Sequence, residues 1–505
     1  MTLARSNLSP AAVVTRRWRA FVVTASVVAA SMVYMALPLE MGELGRRAVA
    51  IAVFAAALWA TEAIPLFAAS LSVVGLEVLL LARQGGGDGA GRGSGGLAGT
   101  GDLSYTQFFE PFASSTVILF LGGFLLAAAV RKHGLDRVVA ARLLRPFMHD
   151  SYRLVMAVIC TTGFLSIFIS NTATAAMMLA IITPLARDPS TPPRLRSALV
   201  LAVAFGASIG GFMTPVSTPP NAITISQLRA IGIDITFVQW VLMAAPLSVG
   251  MLLVTGVLLC VVLRPPRQAV GPQVELVGAV AKDGGAEGPD RLSGRAWVTA
   301  GVILATVVAW MSGPWHRVDD AAVALIAATI LAALGVLDRR DVRSIDWDVL
   351  LLMWGGLALG NGLHLTGVLE YVGGLPMLQH AEGWVLALAL IVGGMTFATF
   401  MSNTAAANIL VPLAIALAMG GGGGAGLAPG VASGDASAAA RLSVLAGLTV
   451  SFAVSMPIST PPNAMAYATG LVSSRDMIRV GLLVSLIAAG VLMAGYLWVL
   501  PWVIG

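Results

Sequence analysis

Charged residues are scarce in this sequence: they occupy 11% of its 505 positions, whereas 57% of the positions are hydrophobic. So few charged side chains cannot form the surface of a water-soluble protein of this length, and a lipid bilayer is the expected solvent. Apolar stretches of about 20 residues, enough to cross a bilayer core of about 30 Å, recur from Phe21 to Val503. The sequence therefore predicts an all-α polytopic membrane protein with eleven transmembrane helices and two re-entrant hairpins.

Cysteine is nearly absent as well. The two cysteines, Cys160 and Cys260, stand alone in apolar stretches, without the paired spacing of a disulfide framework or a metal site. The five histidines share no ligand spacing, and no glycine-rich phosphate loop ending in Gly-Lys-Ser/Thr is present. A membrane-embedded enzyme needs clustered Asp, Glu or His within its spans, and an anion channel needs a continuous polar pore. The sequence shows neither feature, so we expect a transporter.

The basic residues are distributed unevenly along the predicted spans. With a cytoplasmic N-terminus, 23 of the 30 Lys and Arg residues fall on the cytoplasmic side and seven fall outside. This bias is what the positive-inside rule describes. It predicts an integral protein of the bacterial inner (plasma) membrane, with its N-terminus in the cytoplasm. Membrane orientation accounts for the net charge of +5, and no nucleic-acid partner is predicted.

Two polar motifs occur twice, in the same order. Ser-Asn-Thr at 170–172 returns at 402–404, and Pro-Val-Ser-Thr-Pro-Pro-Asn-Ala at 215–222 returns as Pro-Ile-Ser-Thr-Pro-Pro-Asn-Ala at 457–464. A Gly-Gly pair at 122–123 also returns, at positions 355 and 356. Five predicted spans, the second to the sixth, make up the first half. Because five is an odd number, the second half is expected to enter the bilayer in the orientation opposite to that of the first.

The repeat divides the chain into predicted parts. These are an N-terminal segment with the first span (1–45), a first inverted repeat (46–263) with a hairpin at 154–186 and a broken helix at 197–228, a cytoplasmic linker (264–294), and a second inverted repeat (295–505) with a hairpin at 383–417 and a broken helix at 441–467. Glycine-rich runs at 85–101 and 420–434 predict loops. The basic segment 131–145 predicts an amphipathic helix at the membrane surface.

The repeated motifs interrupt helices inside apolar segments. Unsatisfied backbone groups facing lipid cost several kcal/mol each, so such breaks belong in protein or beside an aqueous cavity. Paired prolines prevent continuous helical hydrogen bonding. The free carbonyls at a helix end suit a cation, and the free amides at a helix start suit an anion. One isolated Ser-Asn-Thr is more typical of a helix–helix contact, but two copies, each followed by a proline break, favour a transport site.

The predicted site contains no formal charge. Asp, Glu, Lys and Arg are absent from 154–186, 197–228, 383–434 and 442–474. A dianion bound there lacks a countercharge from the protein, and co-bound cations could supply one. The sequence therefore predicts cation-coupled transport of an anion.

The paired Ser-Asn-Thr and Thr-Pro-Pro-Asn motifs, together with Trp59–Pro65 and Phe120–Phe124, resemble the divalent anion/sodium symporter (DASS) family. The resemblance extends from about Ala48 to Trp502. It implies a homodimer of eleven-span protomers, each with a scaffold domain and a transport domain that moves across the bilayer as an elevator. It also implies C4-dicarboxylates, citrate or sulfate as substrates and sodium as the coupling ion.

The resemblance also implies site residues by motif position. The implied sodium ligands are Ser166, Ser170, Asn171, Ser217, Ala398, Ser402, Asn403 and Ser459. The implied substrate contacts are Asn171, Thr172, Thr218, Asn403, Thr404, Thr460 and Pro461. Ala398 departs from the pattern because Ser166 is its counterpart in the first half, so the second cation site lacks one hydroxyl and would use a backbone carbonyl there.

The expected function is sodium-coupled transport of a small divalent anion, with a C4-dicarboxylate as the first choice because Thr172 and Thr404 are both retained. Two alternatives remain open at this point: sodium-coupled symport of sulfate or another oxyanion, and sodium-independent dicarboxylate exchange.

Overall fold

The structure, a computed structural model, describes residues 10–82, 103–267, 293–376, 382–420 and 433–504. These residues form helices and connecting turns, and none of them lies in a β-strand. The predicted glycine-rich loop at 85–101 lies outside the described residues, as do most of the linker 264–294 and of the glycine-rich run 420–434.

The first half contains both arms of the predicted first hairpin (α7 and α8) and both parts of the predicted first broken helix (α9 and α10). Its helices are α1 (Pro10–Ala36), α2 (Glu43–Thr61), α3 (Leu66–Leu80), α4 (Thr106–Phe109), α5 (Ser115–Lys132), α6 (Leu135–Leu144), α7 (Ser151–Ser166), α8 (Asn171–Arg187), α9 (Pro193–Gly210), α10 (Pro219–Ala230) and α11 (Phe237–Leu263).

The second half repeats this order, with hairpin arms α18 and α19 and broken-helix parts α20 and α21. Its helices are α12 (Gly294–Met311), α13 (Gly313–His316), α14 (Asp320–Ala333), α15 (Arg339–Arg343), α16 (Trp347–Leu365), α17 (Val368–Gly373), α18 (Gly383–Thr399), α19 (Asn403–Gly420), α20 (Ser433–Ser451), α21 (Pro461–Ala468), α22 (Ser474–Ala494) and α23 (Leu500–Ile504). A π-helical turn, Gly495–Val499, joins α22 to α23.

Among the described residues, seven helical segments are long and apolar enough to cross a bilayer. They are Trp18–Ala36, Glu43–Thr61, Thr106–Lys132, Phe237–Leu263, Gly294–Met311, Trp347–Leu365 and Ser474–Ile504. The predicted all-helical membrane protein is therefore confirmed. The number of eleven crossings, the opposite orientation of the halves and the domain boundaries stay predictions.

The helices of each predicted hairpin and broken helix pack closely together. Almost every residue of α9 is buried, and the helix lies against α7, α8 and α11. The α7–α9 crossing is especially close at Gly210, where an added Cβ would stand 2.6 Å from the carbonyl carbon of Gly163. Only a residue without a side chain allows the two backbones to approach this far. In the second half, α20 packs between α18 and α19.

The two Gly-Gly pairs occupy matching positions between neighbouring helices. In α5, a Cβ on Gly122 would overlap α14 at Ala324, and one on Gly123 would lie 3.6 Å from Val216 in the first helix break. In α16, one glycine of the pair faces α3 and the next faces the hairpin arm α19 at Asn408. In both halves, therefore, the pair brings a long apolar helix close to an element that carries a repeated motif.

Candidate functional site

The first hairpin tip joins three elements. Ser166, the last residue of α7, is fully buried, and its hydroxyl contacts Asn171 Oδ1 at 2.9 Å and the Ala207 carbonyl of α9 at 2.8 Å. Ser170 caps α8 by accepting a hydrogen bond from the Ala173 amide at 3.4 Å. The Asn171 side chain lies directly against Gly211, where any Cβ would overlap its amide group. The tip is thus fixed to the end of α9.

The break between α9 and α10 turns several backbone carbonyls toward one another. Asn221 is fully buried, and its amide nitrogen donates to the carbonyls of Gly211, Phe212 and Thr214 at 3.1, 3.3 and 2.8 Å. The Ser217 hydroxyl also donates to Gly211 and, at 3.0 Å, to Thr214. The Pro-Pro motif prevents helix here, and one asparagine organises the carbonyls that the break releases.

The break between α20 and α21 repeats this arrangement. Asn463, also fully buried, donates from its amide nitrogen to the carbonyls of Val454 and Met456 at 2.8 and 3.1 Å. The Ser459 hydroxyl donates to Met456 at 2.8 Å. These donors and acceptors hold the same motif positions as in the first break. The repeated sequence therefore forms a repeated local structure.

The second hairpin tip is held more loosely. Ser402, Asn403 and Thr404 are half-buried at the start of α19. Asn403 Oδ1 is buried, and it has no hydrogen-bond partner among the described residues. Ala398, near the end of α18, is fully buried but offers only its backbone carbonyl as a polar ligand.

The two halves meet at these motifs. The Ser208 hydroxyl of α9 donates to Thr460 Oγ1 at 3.4 Å. Thr460 also caps α21, because its hydroxyl oxygen accepts a hydrogen bond from the backbone amide of Asn463 at 3.2 Å. The rings of Phe212 and Phe452, one from each break, lie 4.9 Å apart edge to face. In addition, α8 packs against α21 and α10 packs against α19, so each hairpin contacts the broken helix of the other half.

The remaining predicted substrate contacts differ in exposure. Thr218 precedes α10 and is buried, whereas Thr172 on the first turn of α8 is exposed. Pro461 is exposed at the start of α21. Thr172 and Pro461 can therefore contact a ligand without movement of the side chains that cover the buried members.

The polar groups of the first hairpin tip and the first helix break, called here the first cluster, have the chemistry that suits a small hard cation; those of the second tip and the second break form the second cluster. The Ala207 carbonyl lies 2.8 Å from the Ser166 hydroxyl, which also contacts the Asn171 side chain. In the adjoining break, the Ser217 hydroxyl has one proton to donate and the Asn221 side-chain amide has two. These protons cannot occupy both lone pairs on each of the carbonyls that they contact, those of Gly211, Phe212 and Thr214. Unwound backbone of this kind coordinates sodium in transporters with broken helices. The second cluster supplies the Met456 and Val454 carbonyls in the same way, without the hydroxyl that Ser166 gives the first.

Sequence reasoning did not assign Asn221, Asn463 or Ser208 to the site. The two asparagines had a usable signal, because each follows its Pro-Pro pair directly. Ser208 lies in an Ala- and Gly-rich helix, and nothing local distinguishes it from other small buried residues. Only the packing of α9 against the second break gives it a partner.

A family model for citrate transporters matches residues 56–433 and 315–504 of the chain. The chain belongs to the citrate transporter family. Two curated proteins that are similar in sequence to this chain are sodium-dependent dicarboxylate transporters named SdcS. The protein from Staphylococcus saprophyticus is 25% identical over 499 residues, which cover 93% of this chain and 88% of the relative. The one from Staphylococcus aureus strain USA300 is 25% identical over 496 residues, with the same coverage.

An uncharacterized transporter from Haemophilus influenzae is 29% identical over 468 residues, which cover 89% of this chain and 91% of that protein. The crystal structure of the YdaH transporter from Alcanivorax borkumensis is similar with a TM-score of 0.50 at 15% identity, over 79% of this chain and 89% of that one. This structural likeness concerns the fold alone. Membership in the citrate transporter family, with SdcS among the relatives, confirms the predicted resemblance to divalent anion/sodium symporters. The chain is a membrane transporter and not an enzyme.

Proposed function

We propose that the chain carries a C4-dicarboxylate across the bacterial inner membrane, coupled to sodium, from a site formed by the two hairpin tips and the two helix breaks. The observation that carries the proposal is the equivalent donation by Asn221 and Asn463 to carbonyls of the two breaks. Each break exposes backbone dipoles and hydroxyls near a hairpin, and charged side chains are absent from the four motif segments. Sodium ions at the carbonyl clusters would supply the countercharge for a dianion.

The substrate contacts in this proposal are Asn171, Thr172, Thr218, Asn403, Thr404, Thr460 and Pro461. Amides, hydroxyls and helix starts of this kind bind carboxylate oxygens as hydrogen-bond donors. The names of the SdcS relatives support a dicarboxylate over sulfate. A homodimeric assembly, inverted halves and an elevator movement are part of the same proposal, and they rest on the family resemblance.

Uptake of labelled succinate into proteoliposomes tests the proposal directly. With sodium outside, we expect succinate to accumulate above its equilibrium level, and a potassium gradient of the same size should not drive accumulation. Excess unlabelled succinate or malate should compete more strongly than sulfate. Uptake driven equally by both cations would contradict sodium coupling, and stronger competition by sulfate would contradict the substrate class.

Sodium-independent dicarboxylate exchange is the second candidate, and Ala398 favours it. The second cluster lacks the hydroxyl that Ser166 gives the first, so it offers a cation one ligand fewer. Counterflow distinguishes the two candidates. An exchanger takes up labelled succinate only into vesicles preloaded with a dicarboxylate, whereas a symporter also fills empty vesicles when a sodium gradient is present.

A further inference from the structure

A groove of about 740 Å³ lies between α7, α11 and the turn that follows α6. Apolar side chains form nearly all of its wall, among them Phe147, Phe164, Leu253 and Val257. Phe164 and Val257 are 46% and 53% exposed. The groove therefore opens outward along α11, a 27-residue apolar helix of membrane-spanning length.

The position of the groove favours lipid as its occupant. Side chains that open outward from a membrane-spanning helix face the hydrocarbon of the bilayer, and acyl chains fill apolar channels of this size without hydrogen bonds. Hydrophobic contact alone does not select one lipid over another, because all phospholipid tails are chemically similar. Selectivity has to come from the end of the groove where a headgroup would lie.

That end of the groove carries an excess of positive charge. Arg153 lines the groove on the first turn of α7. The guanidinium of Arg267 lies 4.7 Å from the ring centre of Tyr152, a neighbouring lining residue. Among the described residues, neither arginine takes part in an ion pair. Arg267 belongs to the predicted cytoplasmic linker 264–294. Arg153 directly precedes the predicted hairpin 154–186, and it is one of the basic residues that the predicted threading places on the cytoplasmic side.

Among the described residues, the carboxylate that interacts with these arginines is that of Asp150, and it is already engaged. Asp150 caps α7 by accepting hydrogen bonds from the Arg153 and Tyr152 amides, each at 2.9 Å. The hydrogen bond from the Arg153 amide is the main cause that holds the pKa of Asp150 below its usual range, so the carboxylate is ionised at neutral pH. It lies at the start of α7 and faces two guanidinium groups, so the described residues at this end of the groove carry a net positive charge.

We propose that this groove is a binding site for an anionic phospholipid. Its phosphate lies on Arg153 and Arg267, and an acyl chain runs along α7 and α11 past Cys160. Guanidinium groups bind phosphate through paired, charge-assisted hydrogen bonds, and basic pockets between membrane helices recognise anionic headgroups. A zwitterionic lipid of the same chain length fits the apolar wall equally but gains less at the basic end.

Native mass spectrometry of the intact protein, given equal amounts of phosphatidylglycerol and phosphatidylcholine with identical chains, measures the preference. We expect about tenfold more retained phosphatidylglycerol, and a preference near unity in the Arg153→Gln/Arg267→Gln variant. Arg194→Gln, at an exposed arginine on the first turn of α9, is the matched control and should keep the preference. Equal retention of both lipids by the unaltered protein, or an unchanged preference in the double variant, would overturn the proposal.

The two cysteines of the chain both line the groove, so alkylation reports where the lipid binds. Phosphatidylglycerol should slow the reaction of Cys160 with N-ethylmaleimide several-fold, and phosphatidylcholine should slow it less. If the double arginine variant does not fold, Val257→Trp fills the groove without changing its charge and should lose the retained lipid. An unchanged alkylation rate would show that the lipid binds outside the groove. Protection of Cys160 that depends only on protein concentration would show that a second copy of the chain covers the groove. Either result would overturn the proposal.

Discussion

The Ser166 hydroxyl hydrogen-bonds to Asn171 Oδ1 across 2.9 Å and so joins the end of one hairpin arm to the start of the other. The same hydroxyl lies 2.8 Å from the Ala207 carbonyl on α9. A single side chain therefore fixes the spacing of the hairpin tip and holds the tip against the first broken helix. It is also a cation ligand in the proposed function.

Replacing Ser166 with alanine should raise the sodium concentration that gives half-maximal succinate uptake by about tenfold, because loss of one hydrogen-bonding ligand costs on the order of 1 kcal/mol or more. The measurement is uptake against sodium at fixed succinate. Ser248→Ala is the control, because Ser248 is buried in α11 and its hydroxyl has no partner among the described residues. An unchanged sodium dependence in Ser166→Ala would remove this residue from the cation site.

The reverse change in the other half should strengthen sodium activation. Ala398→Ser supplies the hydroxyl that Ser166 provides in the first hairpin, at a position that is fully buried in α18. We expect the half-maximal sodium concentration to fall by roughly threefold to tenfold, in line with one added ligand. Ala387→Ser, at another fully buried position of α18, separates this effect from a general effect of a buried hydroxyl. Equal responses of the two variants would contradict the assignment.

Asn221→Ala and Asn463→Ala should each destabilise the protein and abolish uptake. Each removes an amide donor that several buried carbonyls share, and each unpartnered buried group costs about 1–3 kcal/mol. Thermal unfolding in detergent should show a melting temperature lower by several degrees for both variants. A normal melting temperature in either variant would mean that water replaces the amide at that break.

Asn403→Ala should separate binding from stability. Its Oδ1 has no hydrogen-bond partner among the described residues, so its removal leaves the fold intact. We expect an almost unchanged melting temperature and a KM for succinate raised by about tenfold, the effect of losing the hydrogen bond that the Asn403 side-chain NH2 donates to a carboxylate in the proposed site. A loss of stability similar to that of Asn463→Ala, with an unchanged KM, would make Asn403 a structural residue.

Gly210→Ala should prevent folding or lower the melting temperature strongly. The added Cβ would meet the Gly163 backbone, which cannot rotate away as a side chain can. Gly250→Ala in α11 is the control, since nothing lies within 4 Å of its added Cβ. The control should be neutral or slightly stabilising because alanine favours a helix over glycine by about 1 kcal/mol. Equal stability of the two variants would show that α7 and α9 can separate.

Sequence reasoning located the helix breaks because their causes are local. Proline at 219–220 and 461–462 prevents helical hydrogen bonding wherever the chain folds, and α10 and α21 begin at those prolines. Ser170 ahead of Asn171 is a helix cap for a similarly local reason, and α8 begins after it. The all-helical membrane protein and the repeated motifs were therefore predictable from composition and spacing, and the family was predictable from the resemblance of those motifs.

The sequence by itself determined that polar breaks interrupt apolar helices at two matching places. Only the tertiary structure decided which groups those breaks contact. Three contacts depend on residues that are separated along the chain. They are the hydrogen bonds from Asn221 to the carbonyls of its break, the hydrogen bond between Ser208 and Thr460, and the close approach of Gly210 to Gly163. Helix periodicity predicts on which face of its helix a residue lies. It does not predict which residue of another helix it contacts, because that depends on how the helices of the two halves pack together.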